Sequence, residues 1–240
     1  FLRGLESLKG APLFPLFGLA MVCALYVSQV IFWGDTGNYH FGLVKWLAEY
    51  GQVPGISLLN RHLGTGSSWF ALTAVWNHGL LAGHSGALMG GYALMLMLAH
   101  GGFSLARCVE NIHDRGAWFV VTGYAILFPL LWRWGVVISP SPDVPVMLIG
   151  VLAGSILLNS ALKDKTSVWL LLVLAALAFN VKLSALPLLG MAWLFAMFTL
   201  HGRERVWATL VPALCVFPIL ASNSVTSGYP LYPSVLLMLD

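Results

Sequence analysis

Ser67-Ser-Trp-Phe-Ala-Leu-Thr-Ala-Val-Trp-Asn-His-Gly-Leu-Leu-Ala-Gly-His-Ser85 decides how this chain is organised, because its reading determines which loops share a side. Its apolar part, 69–81, has 13 residues, whereas a helix needs about 20 to cross a bilayer. Ser67-Ser68 is N-cap chemistry, and Gly83-His84-Ser85 reads as a turn into the next segment. The stretch is therefore expected to lie in or dip into one interface without crossing. Counted as a span, it would invert every later loop.

On either side of it the chain is dominated by longer apolar runs. Seven segments read as spans: 12–33, 86–106, 117–136, 145–161, 167–181, 184–200 and 206–222. Only 9% of the 240 residues are Asp, Glu, Lys or Arg, against about 25% in an ordinary soluble domain, and 59% are hydrophobic. The expected fold is all-α, a polytopic transmembrane helical bundle of about seven spans. Residues 1–240 read as a single transmembrane domain. The chain opens at Phe1 and stops at Asp240, just after a new apolar run begins, so a piece of a longer protein is expected. The first apolar run ends in bulky Trp33-Gly34 and does not read as a cleavable signal peptide.

With the N-terminus inside, the cytoplasmic segments hold Arg3, Lys9, Arg107, Arg115, Lys163, Lys165, Arg203 and Arg205. The outer segments hold Lys45, Arg61, Arg133 and Lys182, so eight basic residues face four, as the positive-inside rule asks. A bacterial inner membrane is the expected location, with the active face periplasmic or extracellular. The twelve basic residues are scattered singly or in pairs, which argues against nucleic acid as a partner. Cys23, Cys108 and Cys215 lie far apart and show no metal or disulfide spacing.

Segment 34–85 becomes one long external loop with amphipathic interfacial helices. Within 36–50, Leu43, Trp46, Leu47 and Tyr50 recur at three and four, with Lys45 and Glu49 as an i,i+4 pair. Gly51 and Pro54 end that helix.

Four outer breaks then share one face: Gly34-Asp-Thr-Gly-Asn-Tyr-His40, Ser139-Pro-Ser-Pro-Asp143, Asn180-Val-Lys182 and Ser227-Gly-Tyr-Pro-Leu-Tyr-Pro233. Asp35 is a candidate general base, although Asp-Thr before a helix is also ordinary cap chemistry. Asp143, at the start of a span, suits either a cap or a second functional carboxylate that orients a substrate or holds a divalent cation. Lys182 is placed to meet a lipid phosphate or to snorkel to the interface. Tyr39, His40, Arg61 and Tyr229 complete the candidate substrate-binding set; for Arg61 a plain exposed loop base is the simpler reading. No phosphate loop, dinucleotide fingerprint or nucleophile elbow is present.

This arrangement resembles GT-C-type membrane glycosyltransferases, including the protein O-mannosyltransferases and the lipid A aminoarabinose transferases. The motifs that carry the resemblance are Gly34 to His40, Glu49-Tyr-Gly-Gln-Val-Pro-Gly55, Ser67-Ser-Trp-Phe70, Lys182-Leu-Ser-Ala-Leu-Pro187 and Ser227 to Pro233. More narrowly, they look like a set found in bacterial multi-pass relatives of that superfamily. The resemblance implies a polyprenyl-phosphate-linked sugar as donor, a saccharide, lipid or protein acceptor, and catalysis at the outer face. Asp35 would match the first-loop base and Asp143 the second-loop acidic residue. Many relatives carry a second acidic residue directly after the first; here Thr36 stands in that place, which leaves a metal requirement open. A flippase of a lipid-linked saccharide and a non-catalytic membrane protein are the alternatives.

Overall fold

A computed structural model describes residues 13–159 and 164–234. Arg3, Lys9, Lys163 and the apolar run 235–239 lie outside the described residues. The described chain is all helical, with no strand among its residues. Its α-helices are α1 (Leu13–Val27), α2 (Phe41–Tyr50), α3 (Ser68–Val75), α4 (Ser85–Glu110), α5 (Arg115–Arg133), α6 (Asp143–Asn159), α7 (Lys165–Val181), α8 (Leu186–Thr199) and α9 (Arg203–Ser227). Each predicted apolar segment coincides with one of seven of these. Three of them, α4, α5 and α9, are long and apolar enough to cross a membrane. The remaining four, α1, α6, α7 and α8, run between 14 and 17 residues.

Helix starts follow local chemistry. Asp114 caps α5 by accepting from the Ala117 amide at 2.8 Å, and Asp164 caps α7 through the Thr166 and Ser167 amides. Ser67 caps α3, as its sequence suggests, by accepting from the Trp69 amide at 3.2 Å. At eight residues, α3 is only about 12 Å long, well short of a bilayer's apolar width. It packs on α2 through Leu43, Val44, Phe70 and Ala74.

Two boundaries differ from expectation. The first segment leaves the helix at Val27, not near 33: the Ser28 hydroxyl bonds back to the Leu25 carbonyl, and the chain then runs on without helix to Trp33. Conversely, α9 continues through the polar run 222–227. There Ser224, Thr226 and Ser227 hydroxyls donate to carbonyls four residues back, and Gly228, at φ 78°, ends the helix.

Consecutive helices from α4 to α8 pack side by side, and α1 packs on α4. One core joins α1, α4, α5 and α6 through Cys23, Met89, Leu94, Val120 and Val144. A second joins α7 and α8 through Ala175, Ala192 and Ala196, with Ala208 of α9. Small residues allow these helices a close approach, which dispersion then rewards. Meanwhile the outward surface keeps Phe198, Leu214 and Phe217 at 79%, 69% and 66% exposure, an apolar periphery that water would penalise.

The helix ends gather in two groups. At one end Arg107 pairs with Asp114, the Gly116 amide reaches Asn159, and Lys165 pairs with Glu204. The other end collects the segments around residues 36, 67, 139, 182 and 226, and it is there that the polar chemistry concentrates.

Candidate functional site

The floor of this second end is the segment 136–142. The sequence presents Ser139-Pro-Ser-Pro as an outer break, but Val137, Ile138, Ser139 and Ser141 are all buried, at 0–1% exposure. Proline lacks an amide donor, so Pro140 and Pro142 bring fewer groups that burial would leave unsatisfied. Helix α4 presses against the same segment, where a Cβ on Gly90 would meet the Val137 carbonyl oxygen at 2.7 Å.

Two buried side chains sit on this floor. Thr36 donates its hydroxyl to Ser139 Oγ at 2.6 Å, and His40 Nδ1 shares the same hydroxyl at 3.1 Å. Both come from a single turn of π-helix, Thr36–His40, that leads straight into α2. A π-turn widens the helix by one residue, and such insertions are frequent where function requires a side chain to be re-aimed. Burial depresses the His40 pKa to about 4; the charges of Asp35 and Asp143 push the other way, and Lys182 adds to the depression. Tyr39, partly buried, stacks on His62 at 5.0 Å between ring centroids. Its phenol is pushed up to about 12, by burial first and then by Asp35 and Asp143. The two carboxylates thus act on the same pair of rings.

Asp35 is exposed, and its carboxylate makes no hydrogen bond or ion pair among the described residues. Its backbone is already helical (φ −62°, ψ −26°), and its side chain caps nothing, so the cap explanation does not apply. Asp143 is engaged differently. It accepts from the Ser141 hydroxyl at 2.9 Å and forms an ion pair with Lys182. Lys182 follows α7, whose flanks are largely covered by α6, α8, α9 and α3. The preceding residue, Val181, offers its carbonyl to the Ser67 hydroxyl at 2.6 Å, which ties the long first loop to the same corner.

The rest of that loop is fastened to α9. Buried Asn223 accepts from the Gly66 amide at 2.9 Å and donates to the Pro230 carbonyl, while Thr226 donates to the Gly64 carbonyl. The Gly55 amide reaches the Val225 carbonyl, and the Tyr232 hydroxyl the Arg61 carbonyl. Asp35, Tyr39, His40, Asp143 and Lys182 therefore form one cluster. Arg61 adjoins it through His62, which stacks on Tyr39: the Arg61 guanidinium is exposed and, among the described residues, hydrogen-bonds only to His62, at 3.4 Å. Tyr229 lies in the turn after α9, with its amide bonded to the Ser227 hydroxyl. His40 is a buried support and not an open contact, since 1% of it is exposed.

Ser139, Ser67 and Asn223 carry the architecture of the site and gave little sign of it in sequence. Short polar residues beside Pro and Gly read equally well as solvent-facing turns. No group of three or more His, Cys, Asp or Glu stands ready to hold a metal ion among the described residues.

Asp143 also lines an apolar groove of about 330 Å³, together with Trp33, Leu130, Leu131, Trp134 and Met147. The indole N–H of Trp33 is buried without a partner among the described residues. The arrangement offers an open carboxylate, a braced carboxylate–ammonium pair, and an apolar groove that Asp143 helps to line.

Across residues 2–240 the chain matches a family described as a domain of unknown function, DUF8201, and it belongs to that family. No curated protein and no solved structure matches it.

Proposed function

We propose that the chain is a multi-pass membrane glycosyltransferase of GT-C type, moving a sugar from a polyprenyl-phosphate donor to an acceptor on the non-cytoplasmic face. In this reading the seven apolar helices cross the bilayer, the end bearing Arg107, Lys165 and Arg203 faces the cytoplasm, and α2 and α3 ride the outer interface. The observation that carries the proposal is the unpaired Asp35 carboxylate, whose charge acts on the same two rings as that of Asp143, the partner of Lys182.

Asp35 has both oxygens available and takes the proton of the acceptor hydroxyl. The resulting oxygen attacks the anomeric carbon, and the bond from that carbon to the donor phosphate breaks, its electron pair leaving with the phosphate. Lys182 supplies the cation for that developing charge, and its ion pair with Asp143 supports this role by holding it in position until then. The groove beside Asp143 suits a prenyl chain that stays among apolar groups while its head reaches the polar corner.

Asp35→Asn in the full-length protein tests this reading. Loss of glycan product with donor translocation intact supports the transferase. Loss of translocation alone supports the flippase instead.

A further inference from the structure

A second hollow is neither the apolar groove nor part of the charged cluster. A cleft of about 810 Å³ opens between α2 and the turn that joins α3 to α4, within the size range of small-ligand sites. Its lining is mixed. Phe41 and Val44 supply an apolar floor, while Lys45, Glu49, Asn77 and His78 supply polar groups.

The orientation of Asn77 follows from its bonds. Its Oδ1 accepts from the Gly83 amide at 2.8 Å and from the Ser85 hydroxyl at 3.1 Å. The amide oxygen is thereby occupied, and the Nδ2 hydrogens have no partner among the described residues. Lys45 and Glu49 form a loose exposed pair at 3.9 Å, which opens at little cost. The cleft therefore presents separate donors, an acceptor carboxylate and exposed aromatic faces from Phe41 and Tyr50, with no excess of either charge.

That combination favours one class of ligand. Neighbouring hydroxyls each donate and accept, which matches an amide N–H set against a carboxylate. The C–H face of a sugar ring meets aromatic carbon well, because such rings offer an apolar body beside a polar tip. A polyanion would need clustered cations, and here one lysine faces one glutamate. A lipid tail would leave the polar rim without partners.

We propose that this cleft binds a neutral saccharide. On the transferase reading it is the acceptor subsite: α2 continues the turn that carries Asp35, and Lys45 stands about 15 Å from Asp35 along that helical path. Only the acceptor role rests on that reading; the binding site does not.

The full chain in nanodiscs, applied to an array of immobilised neutral and acidic oligosaccharides, tests the proposal. Neutral oligosaccharides are retained, and Glu49→Gln and Tyr50→Ala each reduce retention about tenfold or more, with melting temperatures at the wild-type value. Asp35→Asn retains them as well as the wild type does. Retention of no neutral glycan, of acidic glycans alone, or equal retention by both cleft variants overturns the proposal. If glycans bind but neither wild type nor Asp35→Asn gives product, the transferase reading falls and the cleft stands. If Asp35-dependent product forms unchanged in both cleft variants, the cleft loses its acceptor role and the transferase stands.

Discussion

Lys182, just beyond the end of α7, and Asp143, at the start of α6, pair across two neighbouring helix ends and bind the polar corner together. Both side chains are partly exposed, at 40% and 31%, so solvent screens much of their attraction. A double-mutant cycle of Asp143→Asn and Lys182→Met is expected to give a coupling of about 1 kcal/mol or less in thermal stability. Transfer activity is expected to fall much further, by about a hundredfold for Lys182→Met, because leaving-group stabilisation acts only in the transition state.

Asp35→Asn should leave stability unchanged, since the exposed carboxylate has no partner to lose among the described residues. Activity should fall by about 10² to 10⁴, the usual contribution of a general base. The pairing of an unaltered melting curve with a lost reaction separates Asp35 from Asp143, whose removal also loosens the corner.

His40 makes stability depend on pH. Its pKa is about 4 in the folded chain, against an ordinary 6.5. The unfolded chain therefore takes up a proton first as pH falls. Stability from this residue is complete above about pH 6.5 and is lost as pH drops toward 4, by on the order of 3 kcal/mol. Melting of the detergent-solubilised protein should follow that course, and His40→Gln should flatten it.

Gly66→Ala should detach the first loop from α9. A Cβ at this position would stand 2.2 Å from Asn223 Oδ1 and 2.9 Å from Ile219 Cδ1, too close for either. The expected loss is about 1–3 kcal/mol, combining overpacking with a broken buried hydrogen bond. Limited proteolysis within 51–66 reads it directly, as cleavage that is faster than in the wild type.

Apolar run length made the helical segments legible, and the short stretch after Ser68 was recognisable because 13 residues cannot reach across a bilayer. Capping at Ser67 and the stop at Gly51 were equally readable, since both depend on chemistry within one turn. The pairing of Asp143 with Lys182 fits two consecutive apolar segments packed side by side, which their short connection suggests. What escaped was burial. Ser139 and Asn223 are buried with partners about a hundred residues or more away, and no local pattern announces such contacts. Tyr50 shows the opposite error: helical spacing put it on the apolar face, yet it is 65% exposed at the rim of the cleft.

The wide turn Thr36–His40 also acts as a phase adjuster. Each α-helical residue rotates the chain by about 100°, so deleting one residue between 36 and 40 would restore ordinary winding and swing Asp35 round the axis by about that angle. The carboxylate would then change its bearing on Tyr39 and His40 although every side chain needed for the chemistry was still present. Aim, more than composition, is what this short loop of extra backbone contributes.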